Sequence, residues 1–86
     1  MITISNGQSQ YIALRPTSTK IFIKYAGGAS GTLIPQSSAS RGNEIAETLP
    51  DGSTTITGSK SFTILGGGQF SVSASGVSGT ITIETD

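Results

Sequence analysis

Apolar and polar residues alternate with a period of two along most of this chain. "MITIS" sets Ile2 and Ile4 against Thr3 and Ser5, and "YIALR" puts Ile12 and Leu14 on one side. "KIFIKY" separates Ile21, Ile23 and Tyr25 from Lys20, Phe22 and Lys24. "QFSVSAS" separates Phe70, Val72 and Ala74 from the intervening serines, and "TITIET" separates Ile81 and Ile83 from Thr80, Thr82 and Glu84. Period-two alternation with β-branched and aromatic residues on one side predicts half-buried strands of antiparallel sheets. "TLI" (32–34) and "FTIL" (62–65) read as further strands with weaker patterns, and no helical pattern exceeds one or two turns.

Turn signals punctuate these runs. "NG" at 6–7 suggests a two-residue turn, which would leave Ile12 and Leu14 facing away from Ile2 and Ile4. A three-residue loop gathers the four aliphatics on one face. Burial therefore favours that longer loop, or strands 1 and 2 in different sheets. "GASGT" (28–32) recurs as "GVSGT" (76–80), and the flanking segments 11–35 and 61–84 share a strand–turn–strand–turn–strand plan. The simplest expectation is two three-strand meanders. Their hairpins would pair Ala74 with Ile81, Val72 with Ile83 and Tyr25 with Ile34. The middle of the chain breaks the pattern: 36–43 reads as an exposed loop able to order on a partner, and "PDGS" (50–53) as a tight turn. "EIAETLP" is either a helical turn or an edge strand with Ile45 and Leu49 inward. Seven or eight strands result, in a single all-β domain spanning 1–86, a compact antiparallel β-sandwich or small β-barrel.

Composition sharpens the picture. The 86 residues include eleven Ile, four Leu, two Val and three Phe, enough for one core. Ser, Thr and Gly number fourteen, twelve and twelve, whereas only ten residues are charged and the formal net charge is zero. There is no Cys, so no disulfide reinforces the fold. This hydroxyl-rich, weakly charged surface is typical of proteins that work outside cells. The opening "MITISNGQSQ" nevertheless lacks the basic and apolar regions of a signal peptide, and no apolar run approaches membrane-spanning length. A phage structural protein assembled in the host cytoplasm reconciles the two; a chain that has lost a leader is the alternative. All the basic residues but Lys60 (Arg15, Lys20, Lys24, Arg41) precede residue 44, and all the acids follow Asn43. The halves could attract each other, or the charges could merely keep the surface wet.

Candidate chemistry is sparse. A nucleophile elbow needs G-x-S-x-G, and Gly28-Ala29-Ser30-Gly31 brings its second glycine one position early. The chain has neither His nor Cys, and Lys20, Lys24 and Lys60 lie on predicted polar faces or in a turn rather than in a desolvated site. No glycine cluster leads into lysine and a helix, as a phosphate loop requires, so glycine here serves turns. The acids of "GNEIAE", "PDGS" and "ETD" do not match a calcium loop. Glu44 with Glu47, or Glu84 with Asp86, reads as solvated surface charge, with Asp86 a frayed terminal residue. These readings exclude a catalytic site, a metal and a cofactor from the expectation.

One constellation stands out: Lys20, Phe22 and Lys24 side by side on the polar face of "KIFIKY". An aromatic ring between ammoniums can anchor a protein interface. It can also stack a nucleobase, although nucleic-acid sheets usually show more aromatics and a basic excess. A third possibility is that Phe22 is covered by a loop or by the other sheet. Carbohydrate platforms lack their usual Trp, and the pairs Thr55/Thr57 and Thr80/Thr82 are too few for an ice-binding array.

The strand opening at Met1, the Ser/Thr/Gly-rich alternation and the C-terminal "FSVSASGVSGTITIE" together resemble the small β-sandwich structural proteins of tailed bacteriophages. That resemblance implies a virion role in capsid decoration, head–tail joining or a tail component, and carries no catalytic residue across. The expectation is a non-enzymatic protein that decorates and stabilises a capsid lattice. Its partners would be capsid or other virion proteins and copies of itself, not a membrane. Phe22 would be the anchor, and Lys20, Lys24, Arg15 and Arg41 would orient it. The alternatives are a tail or cell-surface module binding a receptor or glycan, and a barrel binding single-stranded nucleic acid.

Overall fold

The computed structural model describes residues 2–39 and 43–86. Its strands are β1 (Ile2–Ile4), β2 (Ser9–Ala13), β3 (Ser18–Tyr25), β4 (Ser30–Ser38), β5 (Ile45–Ala46), β6 (Lys60–Leu65), β7 (Gln69–Ser78) and β8 (Ile81–Thr85). Two four-stranded antiparallel sheets form, sheet A in the order β1-β8-β3-β6 and sheet B in the order β2-β7-β4-β5. The chain is an all-β sandwich, as its alternation predicts. No helix among the described residues is long and apolar enough to cross a membrane.

The two orders correspond position by position, because β1 and β2, β8 and β7, β3 and β4, and β6 and β5 are each consecutive in the chain. Each pair leaves one sheet and enters the other at the same place. The fold is thus a set of neighbouring strands bent over together, the corner arrangement in which strands switch sheets. Pairing continues through the corner: Tyr25 lies opposite Ile81, the Ala26 N–H donates to Thr80 O at 2.9 Å, and Ser30 lies opposite Ser78. At the far end the Leu14 N–H donates to Gly68 O at 2.9 Å and the Gly66 N–H to Thr17 O at 3.0 Å, so the β2–β3 and β6–β7 links also pair.

The expected meanders and hairpins are therefore corrected. Ala74 faces Leu33, Val72 lies between Gln10 and Pro35, Ile83 lies between Ile2 and Ile23, and Tyr25 faces Ile81. The reason is physical: period two specifies which side of a strand is buried, but not which strand lies beside it. Strands β1 and β2 likewise belong to different sheets, one of the two arrangements that burial favoured.

The repeated pentapeptides lie against each other at the corner. Ser30 Oγ and Ser78 Oγ are 2.9 Å apart, and the register shifts between Ser30 and Thr32. Gly31 has φ of 132°, and a Cβ there would stand 2.6 Å from Val77 Cα. A Cβ on Gly79 (φ 79°) would stand 2.8 Å from Ala29 Cα. Both glycines answer a left-handed backbone and a close approach of main chains. The link between β1 and β2 is tied to this corner by Asn6, whose Oδ1 accepts the Val77 N–H at 3.0 Å.

The core lies between the sheets. Ile4, Ile21, Ile23, Ile81 and Ile83 of sheet A meet Ile12, Leu33, Phe70 and Val72 of sheet B, all buried. Phe62 and Phe70 join the layers edge to face, with centroids 5.6 Å apart at 61°. Beyond β5 the chain delivers Leu49 and Ile56 to this core, Ile56 through a bridge to Leu33. The edge-strand alternative for "EIAETLP" is thus the observed one, with Leu49 inward but Ile45 exposed. Of the loop expected over 36–43, residues 36–38 extend β4, and 40–42 lie outside the described residues. The turn at 50–53 forms, with the Gly52 N–H donating to Leu49 O at 2.8 Å.

Candidate interaction face

Because β3 is the second strand from the edge of sheet A, its outward residues have neighbours on both sides. Lys20 lies opposite Thr63, Phe22 lies between Glu84 and Ser61, and Lys24 lies opposite Thr82. Ile21 and Ile23 point the other way into the core, so the backbone beneath Phe22 is anchored by buried side chains on either side of it. Phe22 is 39% exposed, and neither a loop nor the other sheet covers it. Lys20 Nζ lies 5.3 Å from the ring centroid, a cation–π contact that keeps one ammonium beside the aromatic. Around the ring a groove of about 410 Å³ opens between Lys24, Ser59, Ser61, Thr82 and Glu84.

Lys60 borders the same groove, but its Nζ is 2.7 Å from Asp51 Oδ2. The hydrogen bond from Lys60, supported by the Ser53 N–H, holds the Asp51 carboxyl well below the usual carboxylate range. Among the described residues, Lys20 and Lys24 join no ion pair. The face therefore offers an apolar ring, two ammoniums, the Glu84 carboxylate and several hydroxyls.

Arg15 is engaged elsewhere. Its Nε donates to Ser18 O at 2.9 Å, Nη1 to Asp86 O at 2.9 Å and Nη2 to Asp86 Oδ1 at 2.7 Å. Asp86 also accepts the Lys20 N–H at 3.0 Å and returns its own N–H to Lys20 O at 3.1 Å. The expectation of a frayed Asp86 is corrected: main-chain pairing and the guanidinium fix it beside β3. The Lys20 N–H first, and Arg15 second, lower its carboxyl pKa. Arg41 lies outside the described residues. Structure thus brings together Lys20, Phe22 and Lys24, with Arg15 at their margin.

The neighbours Ser61, Thr82 and Glu84 complete the groove, and the strand pairings place them there although no local pattern in the chain does. Leu65, at the end of β6 on the same face, is 79% exposed. Tyr25 faces inward as expected: its hydroxyl is placed to donate to Gly31 O (2.9 Å) and lies 3.1 Å from Ile56 O, and burial raises its pKa. Among the described residues no three His, Cys, Asp or Glu side chains gather as a metal site. The arrangement is suited to holding a partner by ring burial and charge. No protein-family model, no curated protein and no solved structure matches this chain.

Proposed function

We propose that this domain is a non-enzymatic binding module that acts as a virion structural protein, docking on capsid subunits and stabilising their lattice. The observation that carries the reading is the exposed Phe22 ring, set on a rigid inner strand between two lysines and opening onto a groove. A ring of this kind gains most when a partner removes it from water, and the surrounding charges set its orientation. Lys20 and Lys24 supply the attractive rim, and the Arg15–Asp86 pair bounds it beside Lys20. The virion assignment rests on the hydroxyl-rich, weakly charged composition and on the likeness to phage β-sandwich proteins. In such a lattice, many copies bound at once would reinforce a domain whose own core is small.

The test is sedimentation with assembled capsids encoded by the same genome. Phe22→Ser is expected to weaken binding by tenfold or more, the loss typical of an interface anchor at roughly 1.4 kcal/mol. Ile34→Ser is the matched control: Ile34 is equally exposed, at 41%, but lies on the outer face of sheet B. It should leave binding unchanged, and circular dichroism should show both variants folded. Binding that survives Phe22→Ser would overturn the reading. Specific retention of a glycan by the isolated domain, or of single-stranded DNA in a salt-sensitive manner, would replace capsid with that ligand.

A further inference from the structure

The free edge of sheet A carries a second surface, and we infer that it pairs with the same edge of another copy of this chain. β6 ends the sheet, with β3 on one side and no described strand on the other. The Gly66–Thr17 hydrogen bond sets the phase of the β3–β6 ladder. Lys60, Phe62 and Ile64 turn their main-chain groups toward β3, so those of Ser61, Thr63 and Leu65 point away from the sheet. The chain at Glu47, Thr48 and Pro50 passes beside Thr63 and Leu65 but leaves an open depression of about 450 Å³. An unpaired row of donors and acceptors is a template for another strand.

The other edges are poorer templates. β1 has three residues and β5 two. The outward residues of β2, which are Ser9, Tyr11 and Ala13, expose no large aliphatic side chain. β6 has six residues and ends on Leu65, the most exposed large hydrophobic side chain described.

The occupant follows from self-complementarity. Two antiparallel β6 strands related by a two-fold axis through Thr63 place Thr63 opposite its copy and Ser61 opposite Leu65 of the partner subunit. Leu65 of the partner subunit then lies over Ser61, two strand spacings, about 10 Å, from the β3 main chain. Ser61 is small and lies beside Phe22, so the leucine reaches over it into the groove that Phe22 lines. The axis repeats the contact, seating each Leu65 in the other copy's groove, which is the isologous arrangement of a two-fold dimer. In this register Lys60 meets Gly66, so no like charges face each other across the strands. Two four-stranded sheets become one of eight strands whose outer surface carries both Phe22 rings. The pairing does not depend on a capsid, since it is a property of the protein alone.

Analytical ultracentrifugation of the full chain tests it. The wild type is expected to reach twice its 8.7 kDa mass as concentration rises. Thr63 lies on the axis and its side chain is exposed, so Thr63→Lys or Thr63→Glu alone sets like charges face to face. Each should weaken the dimer by roughly a hundredfold, whereas an equimolar mixture of the two should restore it. Ala13→Pro, on the free side of the other long edge, should change nothing. Circular dichroism confirms that each variant is folded. A wild type that stays monomeric at every concentration overturns the inference. So do charge variants that dimerise as well as wild type, a mixture that stays monomeric, or a dimer lost through Ala13→Pro.

Discussion

The outer faces of the two sheets occupy equivalent places in the fold and differ in what they leave unsatisfied. On sheet B, Ser9 Oγ and Ser73 Oγ lie 3.0 Å apart, and Ser71 sits between Tyr11 and Gln36 with only 2% of its surface exposed. None of the outward residues on β2, β4 and β7 carries a charge. On sheet A the outward row of β3 sets a ring between two ammoniums, with the Glu84 carboxylate beside it. Polar groups that already meet one another gain little from a partner. A face that keeps a phenylalanine in water gains from losing that exposure, at about 25 cal/mol for each Å² buried. Sheet B also leaves an apolar side chain in water, Ile34 at 41%, but the outward rows of β2, β4 and β7 set no charge beside it, so burial there would gain no orientation from charge.

The severest way to break the comparison is to remove what both faces share. Phe70 is fully buried in β7 and packs edge to face on Phe62 across the sandwich. Phe70→Ala is expected to cost about 3–5 kcal/mol through lost transfer energy and an incompletely collapsed cavity. Domains hold only about 5–15 kcal/mol in total, and one this small lies toward the low end. Denaturant unfolding should show the midpoint collapse, with both faces lost together. A loss below about 1 kcal/mol would mean that the two sheets do not share one cooperative core.

A lysine placed once on each face sharpens the contrast. Ser71→Lys must push an ammonium out from beneath Tyr11 and Gln36, and is expected to cost about 1–3 kcal/mol. Thr3→Lys, on the exposed outer side of β1 in sheet A, should stay within about 0.5 kcal/mol of wild type. Thermal unfolding of the pair measures the difference directly. Equal costs would show that Ser71 is not sheltered and that the two faces are alike.

Much of this division was legible in the chain. The alternation in "KIFIKY" places Ile21 and Ile23 inward and Lys20, Phe22 and Lys24 outward, and the structure places them so. Residues two apart on one strand share a face whatever the neighbouring strands are, so this part of the site needs no topology. Glu84 and Ser61 flank Phe22 only because β8 and β6 flank β3, and period two says nothing about neighbours. The same blindness makes the β3–β4 and β7–β8 links, which cross between sheets, look like hairpins in the chain. Arg15 and Asp86 are 71 residues apart, and neither has a local pattern that announces the other. The edge-strand reading of "EIAETLP" turns Ile45 inward alongside Leu49; only Leu49 reaches the core, while Ile45 lies on a two-residue edge strand at the open side of sheet B.

The smallest expected effect concerns the ion pairs, which belong to sheet A and to the segment that crosses toward it. The Lys60 hydrogen bond depresses the Asp51 pKa, and the Lys20 N–H together with Arg15 depresses that of Asp86. A carboxyl whose pKa is lower in the folded chain contributes stability above its unfolded value, near 3.9. That contribution fades as pH falls through the lower folded value. The melting temperature should therefore decline on acidification below about pH 4, where these carboxylates begin to take up protons in the unfolded chain. Both pairs are about half exposed on the acid side, 48% for Asp86 and 53% for Asp51, so salt should shrink the effect. Asp51→Asn with Asp86→Asn should lower stability slightly at pH 7 and flatten the decline below pH 4. An acid limb as steep in the double variant as in wild type would place its origin in other carboxylates, and the two pairs would then be geometry without thermodynamic weight.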